Sequence, residues 1–245
     1  MAEITPHLAP VVVLAFLGSV FAAGVSTLVL LYGAARRSKR FARIGAAGTL
    51  GIIGCYLLLL CAVSLASRER VLPAGGWKYF CEIDCHIGYS VAGVQKTSVI
   101  GPELLQLSAH GQFVIVRLKV WFDEHTISPT RGDGPLMPNP RRVVLVDLSG
   151  RKFPEYPEGK VERVRVNGAQ TTLSQPLRPG ESYTKDLVFD VPKDVSGLRL
   201  LISEDDPESR LIIGHENSLL HKKIYLGLDS APNIASAIRT LAPGK

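Results

Sequence analysis

Two uncharged apolar runs constrain this chain more than any other feature. Residues 11–32 read VVVLAFLGSVFAAGVSTLVLLY, and residues 44–66 read IGAAGTLGIIGCYLLLLCAVSLA. A bilayer core about 30 Å thick is crossed by roughly 20 apolar helical residues, so each run is long enough to span it. Neither run has the polar face that a helix of a soluble core normally carries. The sequence therefore predicts a two-helix transmembrane hairpin over residues 1–66.

The link between the two runs, residues 33–43, predicts the orientation of the hairpin. It reads GAARRSKRFAR and carries five basic residues, whereas the N-terminal MAEITPH has no Lys or Arg. Basic loops are retained in the cytoplasm, so both termini and everything after residue 66 are predicted to be extracytoplasmic. A cleaved signal peptide would need a basic N-terminal region, so the first run is predicted to be a retained anchor in the cytoplasmic (inner) membrane.

The basic pI does not indicate nucleic-acid binding. The formal net charge is +6 with a pI near 9.2, and the five basic residues of the link account for most of that excess. A nucleic-acid footprint would instead need a basic patch on the folded domain. The predicted partners are therefore the lipid bilayer and a membrane or envelope protein complex, with no nucleic acid.

Small residues recur every third position in the second run, at Gly45, Gly48, Gly51 and Gly54. Small residues let membrane helices approach closely. The stripe predicts packing within the hairpin, and docking onto another membrane protein is the alternative.

Beyond a predicted linker at 67–76, the hydrophobic pattern changes to period two. Residues 112–123, QFVIVRLKVWFD, alternate in the way expected of a strand with one buried face. Further predicted strands are 77–82, 89–94, 142–153 with a turn at Ser149–Gly150, 183–191, 198–203 and 222–228. Short strands, frequent turns and no long helical pattern predict an all-β antiparallel sandwich, immunoglobulin-like, over residues 77–228. Residues 229–245 are predicted to be a flexible tail.

One segment of this predicted domain is similar to a known family. Residues 177–203 read LRPGESYTKDLVFDVPKDVSGLRLLIS, a polar turn before a strand, then FDVP, then a Leu/Ile-rich strand. This order resembles the DUF4352 family of extracytoplasmic immunoglobulin-like domains. The resemblance implies a membrane- or lipid-anchored sandwich used for binding or envelope tasks, and it implies no catalytic residues.

The stretch YFCEIDCHIGYSV, residues 79–91, holds the residues that could carry specific chemistry. In one continuous strand the sulfurs of Cys81 and Cys85 would lie about 13 Å apart, so the chain between them must bend before they can pair. A disulfide or two reduced thiols without function is one interpretation, since disulfides persist outside the cytoplasm. A copper or zinc site formed by Cys81, Cys85, His86 and His221 is the second. Thiol exchange is the third. Only the metal interpretation implies a cofactor.

The layout is similar to that of cytochrome oxidase subunit II, in which two transmembrane helices precede an outer β-domain. CEIDC also resembles the cysteine loop of that family's dinuclear copper site. The sequence departs from the family where Tyr89 and Ala92 stand in place of its His and Met, and the cysteines come early in the domain. The resemblance therefore does not imply membership of that family, and copper binding by this chain would have arisen independently.

No catalytic triad order, Walker loop, dinucleotide fingerprint or His-Glu-x-x-His motif occurs in the sequence. We therefore predict a non-enzymatic, membrane-anchored accessory protein that presents a β-sandwich to a partner protein or ligand. The alternative is a metal-binding or thiol-redox protein with its site at Cys81, Cys85 and His86 near the membrane surface.

Overall fold

The computed structural model describes residues 9–80, 86–101, 106–127, 130–157, 173–204 and 207–234. The chain divides into two compact units. The helical unit comprises Met1–Arg68 and Asp206–Lys223, and the β unit comprises Glu69–Asp205 and Ile224–Lys245.

Two long apolar helices form most of the helical unit, as predicted. Helix α1 covers Ala9–Ala35 and helix α2 covers Lys39–Ala66. Both are long and apolar enough to cross a bilayer. The tight link between them requires a positive φ of 53° at Arg37.

The two helices approach each other most closely at the first glycines of the stripe in α2. A Cβ at Gly45 would lie only 2.6 Å from the Cα of Leu30 in α1, so the approach depends on the missing side chain. Gly48 also lies against α1, whereas a Cβ at Gly51 or Gly54 would meet nothing within 4 Å. Packing within the hairpin therefore accounts for only part of the stripe.

Residues 207–223, here called the juxtamembrane segment, belong to the helical unit. The segment begins with a short 3₁₀ helix, Pro207–Leu211. The Tyr56 hydroxyl of α2 donates to the Leu211 carbonyl oxygen at 2.7 Å. The backbone N–H of Lys222 donates to Ser67 Oγ at 2.8 Å. These residues lie inside 77–228, the range predicted for the sandwich. Their contacts with α2 join residues that are far apart in sequence, so no local pattern indicates them.

The β unit contains nine strands in the described residues. They are β1 Arg70–Leu72, β2 Lys78–Phe80, β3 Ile87–Ile100, β4 Leu107–Phe122, β5 Arg141–Val146, β6 Lys152–Pro154, β7 Ser182–Val191, β8 Arg199–Glu204 and β9 Ile224–Gly227. One sheet has the order β1-β9-β8-β5-β6 and the other has the order β2-β3-β4-β7. The β-sandwich is thus confirmed, with one departure from a fully antiparallel arrangement: β1 pairs with β9 in parallel and lies within the predicted linker.

The core lies between the two sheets. In β4 the inward residues Val114, Val116, Leu118, Val120 and Phe122 are fully buried, and they pack with residues of β5, β8 and β9 in one cluster. The alternation predicted for residues 112–123 is therefore confirmed, since successive side chains of a strand point to opposite faces.

The start of the predicted flexible tail is docked onto the β unit. The backbone N–H of Val94 in β3 donates to the Pro232 carbonyl oxygen at 2.9 Å, and Ile234 is buried. Residues 235–245 lie outside the described residues.

Candidate functional site

The cysteine motif falls between two paired strands. β2 ends at Phe80 and β3 begins at Ile87, and these two residues are antiparallel partners. Cys81 and Cys85 themselves lie outside the described residues, and their chemistry stays a prediction.

His86 follows the motif and is buried in the β unit. Its ring stacks on Phe122 with a centroid distance of 5.4 Å. Its Nδ1 lies 2.5 Å from Thr126 Oγ1, and the Thr126 hydroxyl donates its single proton to the Asp123 carbonyl oxygen. Nδ1 must therefore carry the proton and donate to Thr126. In the neutral ring, Nε2 then carries the lone pair that a metal ion would bind.

Asp123 is bonded to this histidine through the backbone, since its N–H donates to the His86 carbonyl oxygen at 2.8 Å, and its carboxylate has partners of its own. It accepts hydrogen bonds from the Tyr79 hydroxyl at 2.8 Å and from the backbone N–H of His125 at 3.0 Å. Burial acts to raise the pKa of Asp123, but the hydrogen bonds from His125 and Tyr79 outweigh it, and the pKa lies below its ordinary value. Burial, and to a smaller extent the hydrogen bond to the Asp123 carboxylate and its charge, raises the pKa of Tyr79 to about 12. At neutral pH the pair is therefore a carboxylate bound by a protonated phenol.

Half-buried aromatic rings extend this site across the outer face of β2, β3 and β4. The ring centroids of Trp77 and Trp121 lie 5.1 Å apart, and Trp121 lies 6.5 Å from His125. The Lys119 ammonium lies 5.8 Å from the Trp77 ring. A Cβ at Gly88 would come within 3.0 Å of Trp77, so the glycine leaves room for the ring. We call Trp77, Tyr79, Trp121 and His125 the tryptophan face.

His221 belongs to the helical unit and is buried there. Its Nδ1 lies 2.7 Å from the Lys222 carbonyl oxygen, which can only accept, so Nδ1 carries a proton. Its Nε2 has no hydrogen-bond partner among the described residues. Like His86, His221 therefore holds the tautomer whose Nε2 could bind a metal.

The predicted four-ligand metal site stays a prediction. Among the described residues, no group of three or more His, Cys, Asp or Glu side chains could hold a metal ion. Two of the four predicted ligands, Cys81 and Cys85, lie outside those residues.

A buried lysine in the β unit was not foreseen from the sequence. The Lys78 ammonium, in β2, donates to the carbonyl oxygens of Ile202 at 2.7 Å and Ile224 at 2.8 Å in the opposite sheet. It also lies 5.0 Å from the Phe80 ring. One signal could have revealed it, since Lys78 and Phe80 share a face at period two.

A buried ion pair lies close to the same phenylalanine. Arg141 Nη1 and Glu204 Oε1 are 2.8 Å apart, and the two side chains are 1% and 6% exposed. The Arg141 guanidinium also lies 4.3 Å from the Phe80 ring. Like the hydrogen bonds of Lys78, this ion pair lies in the interior of the β unit and is not part of a surface site.

Comparisons with known proteins reach only distant solved structures. The sequence matches no protein-family model and no curated protein. A conserved hypothetical protein from Bacillus anthracis is 15% identical, with a TM-score of 0.37, over 51% of this chain and 86% of that one. A secreted protein from Mycobacterium tuberculosis is 11% identical, with a TM-score of 0.41, over 66% of this chain and 99% of that one. An uncharacterized beta-sandwich protein from Clostridium difficile 630 is 9% identical, with a TM-score of 0.39, over 66% and 96%. Likeness at this level adds nothing to the function.

Proposed function

We propose that this chain is a non-enzymatic accessory protein, anchored by two membrane-spanning helices, that presents its β-sandwich outside the cytoplasm to a partner in a membrane or envelope complex. One observation carries the anchoring. Large apolar side chains on both helices are 66–74% exposed, at Leu14, Phe21, Leu28, Leu50 and Leu58. A continuous apolar surface of this kind is rarely left to water, and lipid is the solvent that fits it.

The basic link supports the orientation. Arg36, Arg37, Lys39, Arg40 and Arg43 follow one another at the turn of the hairpin, and such clusters stay on the cytoplasmic side. The β unit, which follows the second helix, is then extracytoplasmic. The resemblance of residues 177–203 to DUF4352 agrees with a binding or envelope task for that unit.

The tryptophan face is the surface that we assign to the partner. Trp77 and Trp121 are half-buried and Tyr79 and His125 are exposed. Accessible aromatic side chains contribute large contact area at small entropic cost, and Trp and Tyr are enriched at interfaces. Asp123, held ionised behind Tyr79 and His125, fixes the orientation of two members of the face.

Protease added to intact spheroplasts tests this proposal. We expect the β unit to be digested while a fragment containing the hairpin and a cytoplasmic marker protein both survive, because the intact bilayer keeps the protease away from the spans, the link and the cytoplasm. A matched variant replaces the five basic residues of the link with Gln and places Lys residues before residue 9, which should invert the hairpin and protect the β unit. Digestion of the wild-type β unit only after lysis would contradict the proposal.

A metal-binding or thiol-redox function is the second candidate, favoured by the tautomers of His86 and His221. In both rings Nδ1 is taken up by a hydrogen bond, so Nε2 is the nitrogen through which either histidine would bind copper or zinc together with the thiolates of Cys81 and Cys85. Metal analysis of the full-length protein in detergent separates the two functions. Stoichiometric metal that is lost in Cys81→Ser and kept in Cys61→Ser, a free cysteine of α2, would support this candidate. Metal-free wild-type protein would support the accessory function.

A further inference from the structure

The juxtamembrane segment lies along the C-terminal part of α2. Its Leu211 is hydrogen-bonded to Tyr56, and its Lys222 is hydrogen-bonded to Ser67 just beyond the helix end. Tyr56 and Ser67 lie three turns apart on one stripe of the helix, and Leu60 and Ser64 of the same stripe are fully buried. The segment is therefore fixed to the span itself.

Three leucines of the segment are exposed. Leu211, Leu219 and Leu220 are 45–56% exposed. Leu220 has a φ of 65°, a conformation that a side chain as large as leucine rarely adopts. The turn is held by the hydrogen bond from the His221 backbone N–H to the Ser218 carbonyl oxygen at 3.1 Å. The backbone thus maintains a strained turn with two adjacent leucines outward.

Basic side chains flank these leucines. Arg210 and Lys222 are exposed, and residues 207–223 carry three basic and two acidic residues. Apolar side chains bordered by Arg and Lys are typical of segments that lie in the interface of a bilayer, where the cations meet anionic headgroups.

We propose that the juxtamembrane segment inserts Leu219 and Leu220 into the outer leaflet, beside Leu211, with Arg210 and Lys222 at the headgroups. This inference rests on the proposed function, since it requires that α2 crosses the bilayer. The helical unit then contacts the bilayer at three places, namely the two spans and the turn before His221. Lipid is the occupant because the leucines continue the apolar surface of the helix to which their segment is bonded.

Site-specific photolabelling of the full-length protein tests the inference. A diazirine-bearing analogue of leucine would be placed at Leu220, and the protein would be reconstituted in vesicles of phosphatidylcholine with phosphatidylglycerol. Matched positions are Leu58 in α2 and Leu148 in the β unit, which are 72% and 73% exposed. A leucine side chain favours hydrocarbon over water by a factor of roughly ten or more. We therefore expect lipid adducts at Leu220 to approach those at Leu58 and to exceed those at Leu148 about tenfold.

Each outcome of this experiment decides a different point. Labelling at Leu58 with no more lipid adduct at Leu220 than at Leu148 would overturn the inference and leave the two spans standing. Adducts of Leu220 with protein in place of lipid would also overturn it. Absence of lipid adducts at both Leu58 and Leu220 would overturn the spans as well. Circular dichroism of each labelled protein confirms that the substitution leaves the fold unchanged.

Discussion

Replacing Arg141 with methionine is expected to lower the unfolding free energy of the β unit by about 3–5 kcal/mol. Arg141 and Glu204 form an ion pair at 2.8 Å whose side chains are almost completely buried. Without the guanidinium, the carboxylate stays in the interior without this cation, and its desolvation is no longer offset. Urea unfolding in detergent micelles measures the effect through tryptophan fluorescence, because Trp77 and Trp121 are the two tryptophans of the chain and both lie in the β unit.

The neighbouring arginine supplies the matched control. Arg142 is exposed, so Arg142→Met should change the unfolding free energy by no more than about 0.5 kcal/mol. Combining Arg141→Met with Glu204→Leu should recover most of the loss, since an apolar pair of similar volume replaces a buried ion pair at little cost. Equal effects of Arg141→Met and Arg142→Met would refute the importance of the buried pair.

Replacing Gly45 with isoleucine should weaken the packing of the two helices by about 1–3 kcal/mol. The new Cβ would lie 2.6 Å from the Cα of Leu30, which is backbone and cannot rotate away. The helices must therefore separate, and the contacts that hold them together depend on that close approach. Titration of the micelle-bound protein with dodecyl sulfate, followed by the loss of helical circular dichroism, measures the change.

Gly51→Ile is the control for this substitution. It makes the same change of residue in the same helix, but a Cβ at Gly51 meets nothing within 4 Å. Any difference in helix propensity is shared by the two variants, so only the packing term separates them. Gly51→Ile should therefore stay within about 0.5 kcal/mol of wild type. Similar losses in both variants would show that the close approach at Gly45 is not what holds the helices together.

The parts of the fold that were predicted from sequence rest on local patterns. The alternation of Val114, Val116 and Leu118 with Ile115 and Arg117 is visible within a few residues, because a strand presents its two faces at period two. The two apolar helices are likewise predicted from a local property, the long uncharged apolar runs at 11–32 and 44–66. Both predictions hold in the structure.

The parts that were not predicted depend on contacts between residues distant in sequence. The carbonyl oxygens that accept from Lys78 belong to residues 124 and 146 positions away, so the partners of the buried ammonium could not be predicted from the residues around it. Tyr79 and Asp123, the hydrogen-bonded pair of the candidate site, are 44 positions apart. The juxtamembrane segment belongs to the helical unit, and its hydrogen bonds to Tyr56 and Ser67 join residues 155 positions apart in sequence. A strand pattern also cannot reveal that β1 pairs in parallel.

Because the first described strand, β1, pairs with the last, β9, its sheet can form completely only late in synthesis. Arg70–Leu72 emerges from the ribosome directly after the second helix, but its partner Ile224–Leu226 is made after every other described strand. Until then both strands that β9 will join lack their neighbour, and open strand edges invite mispairing. The β unit therefore cannot be completed before β9 has been translated, and release of the chain before that point would leave open the edges of β1 and β8 with which β9 pairs.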